Sequence, residues 1–340
     1  VNVTSSKTTW HGLDACVLEN DVLQTVMVPD LGAKLVSLLD KRSHLEWLVG
    51  PGNRPVKKVP YGASFQEQDM CGWDEMFPTI IACAYPGPGD KHGAFLPDHG
   101  EVWTLPWVVD RLNDGKVTLS VTGQALPYRL TRTAEYTAPA TLQLHYQLVN
   151  LGLDRMPFIW AAHPQFACGE GAKIIFPAQI TTVCNTIPEV WGWGAPETHF
   201  DWPTAITVDG NQVPIDQIGP PSLHRARKFF VLPNVRAGWV GLVRRPSNAW
   251  LRMDWDPNLV PYLGLWADEG ALNAESVATP EPTTGFYDSL AVAWNKKEIT
   301  ILEPGATQSW MVTVRFGTGE HPFLGNGDAN GVDNDRQQVK

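Results

Sequence analysis

Leu142-Gln143-Leu144-His145-Tyr146-Gln147-Leu148 alternates strictly between apolar and polar side chains. Successive side chains of an extended strand point to opposite faces. Leu142, Leu144, Tyr146 and Leu148 therefore share one face, and Gln143, His145 and Gln147 share the other. This is the pattern of a half-buried antiparallel strand. Upstream, Val117, Leu119 and Val121 line up in the same way, and near the end of the chain so do Trp310, Val312, Val314 and Phe316. Short apolar runs at 23–28, 34–40, 158–162, 173–176, 229–232, 239–243, 250–254, 262–266 and 299–302 read as further strands between turn signals. No stretch carries sustained helical periodicity with caps, and there is no internal repeat. The expectation is an all-β protein: one antiparallel β-sandwich domain over residues 1–318, with the polar, Gly/Asn/Asp-rich 319–340 as a loosely ordered tail.

Composition narrows the function classes. The 340 residues are 43% hydrophobic and 18% charged, as in an ordinary globular protein, with a formal net charge of -10. An acidic protein repels phosphate backbones and anionic bilayers, so neither nucleic acid nor membrane is an expected partner. The basic runs His224-Arg225-Ala226-Arg227-Lys228 and Arg244-Arg245 read as solvated faces. Five cysteines, an odd number with no CxxC pair, argue against a disulfide framework or a zinc ribbon. No charged leader precedes an apolar core, and no run of 18 apolar residues exists, so the expected setting is cytoplasmic and reduced. Nothing in the sequence bears on oligomeric state. Fifteen tryptophans exceed what a core requires and point to ring-stacking surfaces.

The chemistry-bearing residues lie in loops and short runs. Pro97-Asp98-His99-Gly100-Glu101-Val102-Trp103 sets ionisable groups beside flat rings. Carboxylates and imidazoles bond sugar hydroxyls, and indole faces cover the C–H faces of a pyranose. Residues 50–97 form a long Gly/Pro-rich loop region holding Gly72-Trp73-Asp74-Glu75-Met76-Phe77-Pro78, and long loops inside compact domains usually carry function.

Three segments in order, DHGEVW at 98–103, AAHPQF at 161–166 and ATPEPTTGFYDSL at 278–290, resemble the aldose 1-epimerase (galactose mutarotase) family. The resemblance extends from Leu31-Gly32-Ala33 to Leu302-Glu303-Pro304-Gly305. It implies a large antiparallel β-supersandwich with a sugar cleft, no cofactor, and a small-molecule sugar as the partner. It also implies a mechanism. A carboxylate takes the proton of the anomeric hydroxyl, an imidazolium protonates the ring oxygen, the ring opens, and it closes on the other face. Each positioned proton transfer contributes roughly 10²–10⁴-fold. By position His163 matches the general acid, Glu281 the general base, and His99 the second histidine. Glu303, also in a Glu-Pro-Gly context, reads instead as the first residue of a type II-like turn.

The departures from the family pattern set the substrate side. The family's sugar-binding arginine is missing from GWDEMFPTI, so Asp74 and Glu75 are expected to contact hydroxyls and Trp73 to stack. Gln165 replaces the tyrosine of the family's HPYF. Glu101 and Trp266 complete the expected substrate contacts, and Asp201 and Asp254 are the candidates for a mid-chain substrate aspartate. Two other readings use the same residues. One is a non-catalytic carbohydrate-binding or regulatory protein on this fold. The other is a metal-assisted sugar lyase or hydrolase, with Asp74, Glu75, His99 and Glu101 around a cation.

Overall fold

A computed structural model describes residues 2–323. Among these residues two large antiparallel sheets dominate, one of thirteen strands and one of eight. The alternating stretch that opened the sequence forms the strand Thr141–Asn150 in the interior of the smaller sheet, between Tyr128–Ala138 and Thr307–Thr318. Leu142, Leu144, Tyr146 and Leu148 are buried, and Trp310, Val312, Val314 and Phe316 join them across the ladder. The fold class is the expected one.

The larger sheet is assembled from distant parts of the chain. Its central strands, in spatial order, are Lys34–Asp40, Trp73–Met76, Ala161–Pro164, Ser276–Thr283, Tyr262–Glu269 and Arg225–Val231. Two of these were not expected as strands. Trp73–Met76 lies inside the presumed loop region, and Ser276–Thr283 contains Pro280 and Pro282. Proline has no N–H to give a ladder, and here the sheet does not need one. On one flank Ser276–Thr283 pairs continuously with Tyr262–Glu269. On the other flank the pairing jumps from Thr283↔Ala161 to Ala278↔Phe166, skipping both prolines.

The basic run also departs from expectation. Residues 225–231 are a central strand, and Arg227 and Lys228 are buried rather than solvated. A seven-residue helix, Leu290–Lys296, follows the site strands; Ser289 caps it by accepting the Val292 N–H. Gly305 has φ +69° in the turn after Glu303, as a type II-like turn needs, and Glu303 is exposed there. All five cysteines are free. No helix among the described residues is long and apolar enough to cross a membrane. Of the expected tail, 324–340 lies outside the described residues. Phe323 is buried, stacked on Trp239 at 5.8 Å.

Between the sheets sits a fully buried ion pair. Arg132 Nη1 donates to Glu75 Oε1 at 2.8 Å, and Tyr146 Oη and Trp160 Nε1 each donate to the same carboxylate at 2.9 Å. Removing one partner strands a charge. Arg132→Met is expected to lower stability by about 3–5 kcal/mol. Arg132→Met with Glu75→Leu should recover most of the loss, read as denaturant midpoints.

Candidate active site

Strand parity decides which side chains meet. Residues directly opposed in antiparallel strands share a face. The register pairs His163 with Asp74, Thr283 with Ala161, Glu281 with Gly264, Thr279 with Trp266, and Trp266 with Lys228. Counting by twos, Asp74, His163, Glu281, Trp266 and Lys228 therefore project from one face of the larger sheet. Gly264 matters here. A methyl at that position would stand 3.1 Å from Glu281 Oε2 and 3.3 Å from the Phe230 ring, so its absence gives the carboxylate room.

Over this face opens a cavity of about 330 Å³. His99, His163, Gln165, Glu281 and Trp266 all line it, together with Asp98, Lys228, Asp288 and Trp191. His99 comes from the 97–103 loop. Gly100 there has φ +72°, and a Cβ would strike the Phe77 carbonyl at 2.0 Å, so only glycine lets the loop lie this close to the sheet. His99 stacks on Phe65 with ring centroids 4.0 Å apart, and its Nδ1 lies 2.9 Å from Asp98 Oδ1. Asp98 is itself held by the Phe65 N–H at 3.0 Å. The His163 ring meets both edge-on, 5.0 Å from Phe65 and 5.3 Å from His99. His163 Nδ1 and Gln165 Nε2 are buried without a protein partner. Buried polar atoms are normally bonded, so these two, both at the cavity, are left with unused hydrogen-bonding capacity.

The charges around the cavity are paired and buried. Lys228 is buried and bonded to Glu281, and its Nζ is 3.3 Å from Asp288 Oδ1. Burial pulls its pKa down, but Asp288 and Glu281 together carry it above the ordinary lysine value. Burial pushes Glu281 upward, and Lys228 opposes this only in part. Burial, then the neighbouring His99, Lys228 and Lys34, depress His163 well below the usual imidazole range, so it is neutral in the free site. One layer away Lys34 bonds to Asp69 and Gln68 and lies 3.6 Å from Asp74. Burial lifts Asp74 to about 6 despite Lys34.

Several expected contacts lie elsewhere. Trp73 and Glu75 have the wrong parity and face the core between the sheets, Trp73 against Phe166 and Glu75 on Arg132. Glu101 anchors its loop, accepting from Tyr61 Oη, Tyr128 Oη and the Gln124 and Ala125 N–H groups. Asp74 faces the right way but stays behind the cavity wall. Asp254 pairs with Arg252 and Arg315 in the smaller sheet, and Asp201 is exposed on an edge strand. Asp74, Glu75, His99 and Glu101 thus occupy separate surroundings and do not converge as metal ligands. Sequence reasoning missed Lys228 and Asp288. The Lys228 signal was present: Phe229-Phe230-Val231 is apolar on both faces, the mark of a strand buried on both sides, and Lys228 continues it.

No protein-family model matches the sequence, and no curated protein sequence does. Solved structures do match. A galactose mutarotase-like protein from Lactobacillus casei is 20% identical, covers 89% of this chain and 100% of its own, and superposes with a TM-score of 0.67. A galactose mutarotase-like protein from Clostridium acetobutylicum is 15% identical over 93% and 99% of the two chains, TM-score 0.61. A galactose mutarotase related enzyme from Lactobacillus acidophilus is 14% identical over 89% and 97%, TM-score 0.63. The chain has the galactose mutarotase-like fold.

The Asp74 environment has a measurable consequence for stability. Its carboxyl titrates at about 6 when folded against 3.8 ordinarily, so between these values the folded state binds more protons than the unfolded one. Its contribution is present below the lower value and is lost as pH rises through the upper. Asp74→Asn is expected to flatten the fall in melting temperature between about pH 4 and 6. An unchanged slope would contradict the assignment.

Proposed function

We propose that this chain is a cofactor-independent aldose 1-epimerase. The observation that carries the reading is the convergence of His99, His163 and Glu281, from three distant segments, on one cavity that also holds two indole rings, Trp191 and Trp266.

The chemistry follows from the two proton positions. The ring oxygen of an aldose leaves poorly unless protonated, and the anomeric hydroxyl expels it poorly unless deprotonated. Glu281 takes the anomeric proton while His163 gives one to the ring oxygen. The C1–O5 bond breaks as the C1 carbonyl forms, C1 rotates about its bond to C2, and the reverse transfers close the ring. Burial raises Glu281 and depresses His163, and both shifts favour the forward transfer. A carboxylate with a raised pKa is a stronger base, and an imidazolium with a lowered pKa is a stronger acid. The Asp98–His99 pair fixes the second imidazole beside His163, where it can bond the ring oxygen or a neighbouring hydroxyl. Lys228 holds the Glu281 carboxylate in place and limits the rise of its pKa.

Glu281→Gln and His163→Ala are each expected to slow anomer exchange, followed by polarimetry, about a hundredfold or more. Wild-type rates in both would overturn the mechanism. Saturable sugar binding with no exchange above buffer for any aldose would favour a binding protein on the same fold. Lys228→Met removes a charge that lowers Glu281, so the acidic limb of the pH–rate profile should move to higher pH. A limb that stays or moves down would contradict the role given to Lys228.

A further inference from the structure

One buried acid at the cavity has no part in the two proton transfers. Asp288 is 2% exposed and lines the cavity together with Glu281 and Lys228. Its Oδ2 accepts from Thr186 Oγ1 at 3.0 Å. Its Oδ1 lies 3.3 Å from Lys228 Nζ, yet it is buried and no donor among the described residues is aligned to give it a hydrogen bond. A carboxylate oxygen taken out of water normally has a donor, and leaving it without one is costly. The residue is also held firmly from behind. Its carbonyl accepts from the Ile80 and Ile81 N–H groups at 3.0 and 2.9 Å. Tyr287, just before it, has φ +89°, a conformation that side chains of this size rarely adopt. Such strain persists only where the surroundings impose it, and it gathers at ligand sites.

The place of this oxygen relative to the base narrows what it meets. Lys228 Nζ touches both acids, so Asp288 Oδ1 and the Glu281 carboxylate stand around one ammonium. In ring opening Glu281 takes the proton of O1. Two oxygens flank O1 on an aldose ring: the ring oxygen and the C2 hydroxyl. The ring oxygen has no proton to give, and it is the atom that His163 protonates. Of the two, only the C2 hydroxyl donates to an acceptor beside the base.

Resting on the epimerase reading, we propose that Asp288 is a specificity residue whose Oδ1 accepts the C2 hydroxyl of the substrate, so that the substrate class is an aldose with a free hydroxyl at C2. A 2-deoxyaldose leaves this buried oxygen unmatched and forfeits a hydrogen bond to a charged acceptor. Thr186 acts as a positioning residue by fixing the other oxygen of the carboxylate. A purely structural Asp288, steadying Lys228 and nothing more, would serve every sugar alike.

The test crosses variants of the full chain with pairs of sugars that differ only at C2. The pairs are glucose and mannose against 2-deoxyglucose, galactose against 2-deoxygalactose, and ribose against 2-deoxyribose. Exchange is measured by NMR magnetisation transfer, corrected for the rate in buffer, and affinity by ligand-observed NMR. In the series used best, removal of the C2 hydroxyl should lower the wild-type kcat/KM by about tenfold to a hundredfold. Asp288→Ala should abolish that preference by slowing the hydroxylated sugar while changing its 2-deoxy partner little; Asp288→Asn and Thr186→Val should shrink it. Wild-type exchange that ignores C2, or an Asp288→Ala penalty equal on both members of a pair, overturns the assignment and leaves the epimerase reading standing. A binding preference for the hydroxylated sugar that Asp288→Ala removes, with no exchange above buffer, sustains the assignment and overturns the epimerase reading. Binding that ignores C2 without exchange, or no binding in any series, overturns both.

Discussion

Neighbouring residues on a strand cannot serve the same side of a sheet, and this constraint organises the molecule. Six central strands of the larger sheet are buried on both faces, and five of them, all but Lys34–Asp40, supply core packing from one parity and a cavity-lining residue from the other. In Trp73-Asp74-Glu75-Met76 the odd positions build the interior, and the even positions face His163 and the cavity. A slip of one residue would carry Glu75 toward the cavity side and Asp74 toward the hydrocarbon. The strands come from widely separated parts of the chain, so the site exists only once the whole sheet has formed.

Burying charge is the main energetic burden of this design. Lys34, Arg132, Arg227 and Lys228 are all removed from solvent, and each is matched by at least one carboxylate. The pairs serve different ends. Both oxygens of Glu75 are bonded, and the group behaves as a fixed piece of the core. Around the cavity the matching stops short: His163 Nδ1, Gln165 Nε2 and Asp74 Oδ1 have no protein partner. Polar atoms left in this state pay a desolvation cost that a hydroxylated ligand can relieve. The same burial raises the proton affinity of Glu281 and lowers that of His163.

Much of this was legible in the sequence, and the remainder has physical reasons. The smaller sheet announced itself because its strands are wet on one face and so alternate cleanly. The central strands of the larger sheet are buried on both faces and show no alternation. Trp73–Met76 is too short to display a period, and Pro280 and Pro282 argue against a strand at Ser276–Thr283. His99, His163 and Glu281 were reachable through resemblance to a family pattern, which orders them along the chain but says nothing of the face each occupies. Trp73, Glu75 and Glu101 were chosen by chemistry alone, and chemistry does not distinguish a buried structural carboxylate from a substrate contact. Lys228 was hidden by its neighbours: a basic run looks like a solvated surface until one sees that Glu269, Glu281 and Asp288 are folded against it.

The most direct measurement is a crystal structure with the most rapidly exchanged aldose bound. The account predicts the anomeric oxygen within hydrogen-bond distance of the Glu281 carboxylate and the ring oxygen within reach of the His163 imidazole. A sugar bound outside this cavity, or one whose anomeric carbon points away from Glu281 and His163, would contradict it.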